Sequence, residues 1–174
     1  MTTIRVLRPA DDRSGFRSGD VELDRFFTRY ASQSQFKHHI GVTYVGLDDA
    51  DRIVGYATVA PASVEFESLP TALRKKLPAY PLPVLRLVRL AVEKRAQGQG
   101  LGPALLRYVL DLALRMAETY GCLGVVVDAY PTAATFYGQY GFFALEVVEG
   151  ESAARPQPTA MFLALRDISA AAKK

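Results

Sequence analysis

Three glycines at alternate positions, Gly98, Gly100 and Gly102, end the stretch Arg95-Ala-Gln-Gly-Gln-Gly-Leu-Gly. Glycine lets a backbone approach a ligand closely and reach conformations closed to other residues. A predicted strand, Val84–Val92, precedes the stretch, and an amphipathic run from Pro103 to about Tyr120 follows it. The glycines therefore sit between a strand and the N-terminus of a long helix. Unpaired N–H groups and the positive end of the helix dipole favour an anion there, and a pyrophosphate suits the combination. A Walker loop needs Lys-Ser/Thr after the last glycine, and Leu101-Gly102-Pro103 stands in that place. A dinucleotide fingerprint needs Gly-x-Gly-x-x-Gly after the first strand with an acid about 20 residues on. This loop is Gly-x-Gly-x-Gly, deep in the chain, with an arginine before it. A loop for the pyrophosphate of coenzyme A meets no such conflict. A tight turn that needs glycines only for its own geometry stands beside that reading.

Charge is the second chemical signal. The net charge is +3, but residues 70–100 place Arg74, Lys75, Lys76, Arg86, Arg89, Lys94 and Arg95 against Glu93 alone. Such a zone attracts phosphates, whether of a cofactor or of nucleic acid. A solvated basic surface is the plainer alternative. His38 and His39 lack an accompanying ligand cluster, so no metal site is expected. Cys122 follows a helix with no base nearby and is expected to be a buried, inert thiol.

These residues need a frame. Ile4–Leu7 is predicted as a first strand, and Ser18 or Asp20 as the cap of a helix over 21–34 with Leu23, Phe26, Phe27 and Tyr30 on one face. Val42–Leu47 and Ile53–Ser63 are predicted as a hairpin around the 48–52 turn. Pro70–Pro83 holds four prolines, with a short helix at Thr71–Leu77, and reads as a surface excursion. The central strand Val84–Val92, the glycine loop and the helix over 103–120 follow, with Gly121 as its C′ residue. A buried strand at Leu123–Val127 then implies a right-handed parallel crossover. A short helix over Pro131–Tyr140 and strands at Phe142–Val148 and Thr159–Ala164 complete an α/β class with a mixed sheet.

With 174 residues, 49% hydrophobic and 22% charged, the chain suits one globular domain, placed at 1–169 with a short tail at 170–174. The N-terminus does not read as a signal peptide, and no apolar run is long enough for a transmembrane helix. One cysteine allows no intrachain disulfide, in keeping with a cytoplasmic location.

Arg95-x-x-Gly98-x-Gly100 resembles the Arg/Gln-x-x-Gly-x-Gly/Ala signature of the GNAT acetyltransferases. Leu90-Ala91-Val92 before the loop, and Phe136-Tyr137 before Gly141-Phe142, extend the resemblance over nearly the whole chain. Where many members carry Asn seven residues before that tyrosine, this sequence has Tyr130. A narrower set is similar to the GNAT toxins of bacterial toxin–antitoxin modules: Asp20-x-x-Leu23-Asp-Arg-Phe26-Phe27, Gly55-Tyr56, the proline segment, and Arg89-Leu90-Ala91-Val92.

The resemblance implies a mixed, mostly antiparallel sheet flanked by helices, and acetyl-CoA as co-substrate without a metal. Leu90, Ala91, Val92, Arg95, Gln97, Gly98, Gly100, Leu101, Gly102 and Phe136 would hold acetyl-CoA, and Tyr137 would protonate the leaving thiolate. Glu93 is a further candidate, as a base acting through water. The acceptor it implies is the α-amino group of aminoacyl-tRNA, so that translation is blocked. Arg74, Lys75, Lys76 and Arg86 are then candidates for tRNA backbone contacts, and Arg89 for the 3′ end. A ribbon-helix-helix antitoxin and a homodimer are the implied partners. An acetyltransferase of small or protein amines is the rival reading. A non-catalytic coenzyme A-binding module is another, which the intact glycines and Tyr137 oppose.

Overall fold

The computed structural model describes residues 2–145 and 158–171. Among the described residues, seven strands form a sheet in the order β1-β2-β3-β4-β5-β7-β6. The chain divides into two compact units, Met1–Ala60 with Leu87–Val109, and Pro61–Arg86 with Leu110–Lys174.

In the first unit, β1 (Thr3–Val6) lies antiparallel to β2 (Val42–Leu47), and β2 lies antiparallel to β3 (Ile53–Val64). The turn between β2 and β3 closes on Asp48, whose carboxylate accepts from the amides of Ala50 and Arg52. Asp20 caps α1 (Val21–Arg25) by accepting from the amides of Glu22 and Leu23. The helix predicted over 21–34 is present and runs to Lys37, but not as a regular α-helix. Beyond Arg25 the chain winds through π-helical turns at Phe26–Tyr30 and Gln33–Lys37. Phe27 stacks on Tyr56 at 4.4 Å, and Phe16 meets both rings edge-on. These rings, with Leu7, Ala31, Val45, Leu47 and Ala91, form the unit's core.

Leu101 opens α3 (Leu101–Thr119) and fills space that two glycines leave. A side-chain carbon at Gly46 or at Gly55 would stand 2.8 Å from a Leu101 methyl. The N-terminus of α3 is thereby seated on β2 and β3. The helix starts two residues before the predicted Pro103, so Gly102 belongs to its first turn. Its far end closes at Gly121, φ +101°, whose amide donates to Met116.

The second unit contains α2 (Thr71–Arg74), shorter than expected, and the start of β4 (Leu82–Val92), which begins earlier than the predicted Val84. Pro83 is accepted in the strand because its carbonyl still takes the Leu123 amide. β5 (Gly124–Ala129) pairs antiparallel with β7 (Thr159–Ala164), and β7 with β6 (Phe143–Ala144). Gly124 is required there, since a side-chain carbon would lie 2.2 Å from the Leu163 oxygen. The helix expected over Pro131–Tyr140 is α4 (Ala134–Gly138), with Pro131 in the preceding turn. Residues 146–148 of the predicted strand lie outside the described residues. α5 (Leu165–Ala171) takes in Ala170 and the buried Ala171, which were expected in the tail, while 172–174 lie outside the described residues. Among the described residues, no helix is long and apolar enough to cross a membrane.

Candidate active site

The glycine loop is held from beneath by main-chain and side-chain bonds. The Glu93 amide donates to Val54 and the Lys94 amide to Arg17. The Gln97 side-chain amide donates to the carbonyls of both Ser18 and Val92, at 2.9 Å each. Ser18 is fixed in turn by the Asp24 carboxylate, which accepts from its amide and hydroxyl. The start of α1 is thereby strapped to the end of β4. The Gln97 side chain faces the protein, so any ligand contact from Gln97 falls to its backbone. Leu101 likewise turns its side chain inward, 5% exposed.

What the strapped loop offers is open backbone. Gly98 and Gly100 have φ of +77° and +88°, conformations that suit glycine alone. A side-chain carbon built on either would meet nothing within 4 Å. Steric crowding by the protein therefore does not explain these glycines, and the space above them is free for a ligand. The first bond of α3 runs from the Ala104 amide to Gly100, which leaves the amides of the preceding turn directed outward. Backbone donors, a helix dipole and open space over the glycines fit a pyrophosphate. Leu90, Ala91 and Val92 end β4 immediately before the loop.

Arg95, half exposed, donates through Nε to Glu93 at 2.5 Å, and Glu93 raises its pKa further. Glu93 is thus an ion-pair partner rather than a free base. Arg95 also lines a cavity of about 320 Å³ with Asp48, Asp49, Gln99 and Leu101.

Tyr137, on α4, is 6% exposed. Phe136 and Phe142 pack edge-on to its ring at 5.1 and 5.6 Å. Its carbonyl accepts from Tyr140 and Phe142, closing the turn at Gly141. Burial pushes the Tyr137 phenol upward. The shift is away from neutral pH, where a phenol is protonated in any case. Phe136 also packs on Tyr140, itself buried.

The basic residues fall into different situations. Lys75 and Lys76 are exposed. Arg74 donates to Thr71 Oγ1 at 3.0 Å and lies over the Phe66 ring. Arg86 is ion-paired with Asp128 on β5, a partner that sequence reasoning missed. Arg89 stacks on Phe26, with its guanidinium carbon 3.9 Å from the ring centroid. Cys122 is buried, as expected, and burial raises its pKa. Among the described residues, no group of three or more His, Cys, Asp and Glu comes together to hold a metal.

A family model described as acetyltransferase (GNAT) domain matches residues 39–143. The chain is 32% identical over 139 residues to a tRNA-acetylating toxin of Mycobacterium tuberculosis, covering 79% of this chain and 82% of that protein. AtaT complexed with acetyl-methionyl-tRNAfMet superposes with a TM-score of 0.84 at 26% identity, over 98% of both chains. AtaTR bound with AcCoA does so with a TM-score of 0.78 at 27% identity, over 97% of this chain and 96% of that one. A mutant AtaT toxin bound to the C-terminus of the antitoxin AtaR gives 0.77 at 25%, over 97% and 95%. The chain belongs to the GNAT family and is an acetyltransferase.

Proposed function

We propose that this protein acetylates the α-amino group of aminoacyl-tRNA from acetyl-CoA and thereby blocks translation. The observation that carries the substrate class is the 32% identity, over 79% of the chain, to a tRNA-acetylating toxin. Acetyl-CoA supplies the acetyl group as a thioester. The backbone of Leu90–Val92 and the loop residues Arg95, Gln97, Gly98, Gly100, Leu101 and Gly102 bind it, with Phe136 beside Tyr137 as a further contact. The amine nitrogen bonds to the acetyl carbon as the carbon–sulfur bond breaks; the departing thiolate takes the Tyr137 proton, and the proton that the amine nitrogen loses passes through water to restore the phenol. A strong base is not required. Free α-amines have a pKa of about 7.7–8.0, and an ester on the neighbouring carboxyl lowers it, so much of the amine is already neutral. That accords with Glu93 being committed to Arg95.

Lys75 and Lys76, exposed and without an ion-pair partner among the described residues, are the strongest candidates for tRNA backbone contacts. Arg74 and Arg86 join them less freely, being partly engaged, and Arg89 serves the 3′ end. Residues 1–169 act as one acetyltransferase domain, in the cytoplasm and as a homodimer. A ribbon-helix-helix antitoxin covers the basic zone.

The test compares acetylation of charged tRNA with that of a free amino-acid ester at two salt concentrations. Charged tRNA should be the better substrate, and its KM should rise steeply with salt, since each phosphate neutralised contributes roughly −0.7 to −0.9 to the log–log slope. Replacing Lys75 and Lys76 together should flatten that slope by about two units. A better ester rate with no salt dependence would replace this reading by a small-amine acetyltransferase.

A further inference from the structure

Neither the glycine loop nor Tyr137 accounts for Phe26. Its ring carries the Arg89 guanidinium at 3.9 Å, close enough for the planar group to stack on it. Phe26 is also the residue at which α1 gives way to a π-helical turn. Single π turns are rare and concentrate at functional sites. Three side-chain hydrogen bonds, two of them from distant residues, hold it. The Tyr56 hydroxyl donates to the Leu23 carbonyl at 2.7 Å, and Arg13 Nη1 to the Phe27 carbonyl at 2.6 Å. Thr28 Oγ1 closes on the Asp24 carbonyl at 2.9 Å. The Tyr56 ring meanwhile stacks flat on Phe27, which is wholly buried. The widened turn is thus tied down at its entry, and Phe26 packs on the same cluster, its centroid 6.3 Å from that of Tyr56.

The contrast with Arg86 gives this platform a meaning. Arg86 is anchored by a carboxylate, with Nη2 donating to Asp128. Among the described residues no carboxylate pairs with Arg89. Asp24, on the neighbouring helix, already accepts from Ser18. A ring orients a guanidinium through its face and leaves the N–H fork unspent. A carboxylate partner would orient it and consume the fork.

We propose that Phe26, set by the π turn, is a positioning residue that orients Arg89 so that its free N–H fork takes a phosphate at the 3′ end of the charged tRNA. This rests on the aminoacyl-tRNA reading above. Both N–H groups of one fork edge can then meet two phosphate oxygens, a geometry that lysine lacks.

The experiment measures steady-state acetylation of charged tRNA by wild type, Phe26→Leu, Phe26→Tyr, Arg89→Gln and the Phe26→Leu/Arg89→Gln double variant. Leucine keeps the apolar packing and removes the π face; tyrosine keeps the ring. Phe26→Leu should raise the KM for charged tRNA about fivefold, the order that a partly exposed cation–π contact carries. Turnover should stay within about twofold and acetyl-CoA affinity should not move. Phe26→Tyr should restore the wild-type KM. In the Arg89→Gln background, Phe26→Leu should add nothing, because the group it positions is gone. An equal KM rise with and without Arg89, or a tyrosine variant as defective as leucine, overturns the proposal in favour of simple packing. An unchanged KM in Arg89→Gln overturns it as well, while leaving the tRNA reading intact if wild type acetylates charged tRNA. A wild-type protein that acetylates no charged tRNA removes both. If Phe26→Leu fails to fold, Phe26→Met takes its place in each arm.

Discussion

Replacing Gly100 with alanine separates the two roles a loop glycine can have. Its φ of +88° disfavours any side chain, and a left-handed alanine costs about 1–2 kcal/mol. No clash adds to this, because a carbon at that position meets nothing within 4 Å. For a chain of this size each kcal/mol moves the Tm by roughly 2–4 °C, so a fall of about 2–8 °C is expected. The new methyl, however, projects into the space that a pyrophosphate needs. Losing one hydrogen bond to a charged group costs about 1.5–3 kcal/mol, which is roughly 10- to 150-fold in affinity. Calorimetric titration with acetyl-CoA, beside a thermal melt, reads both quantities. Gly15→Ala is the control, since Gly15 has φ +79° and equally open surroundings but lies outside the loop. It should lose similar stability and keep its acetyl-CoA affinity. The reasoning is refuted if Gly100→Ala binds acetyl-CoA as wild type does, or if Gly15→Ala weakens binding as much.

Tyr137→Phe keeps the ring packing and removes the proton, so turnover should fall about 10²–10⁴-fold with acetyl-CoA affinity unchanged; near-normal turnover removes Tyr137 from the chemistry. Burial raises the pKa of both Tyr56 and Tyr137, so the folded protein keeps protons that the unfolded chain gives up above about pH 10. Stability should therefore be level below that pH and decline above it, and Tyr137→Phe should make the decline shallower; melting curves that show no alkaline decline contradict this. Gly124→Ala should cost about 3 kcal/mol or more, because its methyl would lie 2.2 Å from the Leu163 oxygen and 2.7 Å from the Phe162 ring. Denaturant unfolding measures that cost, and a loss below about 1 kcal/mol would mean that β5 and β7 adjust freely.

The sequence declares those parts of the fold that depend on local chemistry. β2 and β7 fall where alternation and turn residues put them, and the glycine loop announces itself by its spacing. The π turns at Phe26 and Gln33 leave no such mark, because the periodicity of Leu23, Phe26, Phe27 and Tyr30 suits an α-helix equally well. The side chains that bond its carbonyls from outside, Tyr56 and Arg13, are both distant in sequence. The same limit applies to the basic zone. Counting charges along 70–100 finds the cations but not their partners, and Asp128 sits 42 residues beyond Arg86. A basic residue on one strand and an acid on the strand that follows were a signal available for that pair. The motif marks Tyr137 as a candidate, whereas its burial, with Phe136 and Phe142 packed on its ring, belongs to packing.

The two missing methyls beneath Leu101 also matter for inheritance. A side-chain carbon at Gly46 would meet Leu101 alone, its nearest methyl at 2.8 Å, so a methyl gained at 46 can be absorbed by Leu101 turning or losing bulk. A carbon at Gly55 would meet the same leucine at 2.8 Å and also a Leu105 methyl at 3.1 Å and the Ala91 carbonyl oxygen at 3.2 Å, which belongs to the backbone of β4 and cannot be trimmed. Second-site suppressors at Leu101 should accordingly rescue Gly46→Ala more fully than Gly55→Ala.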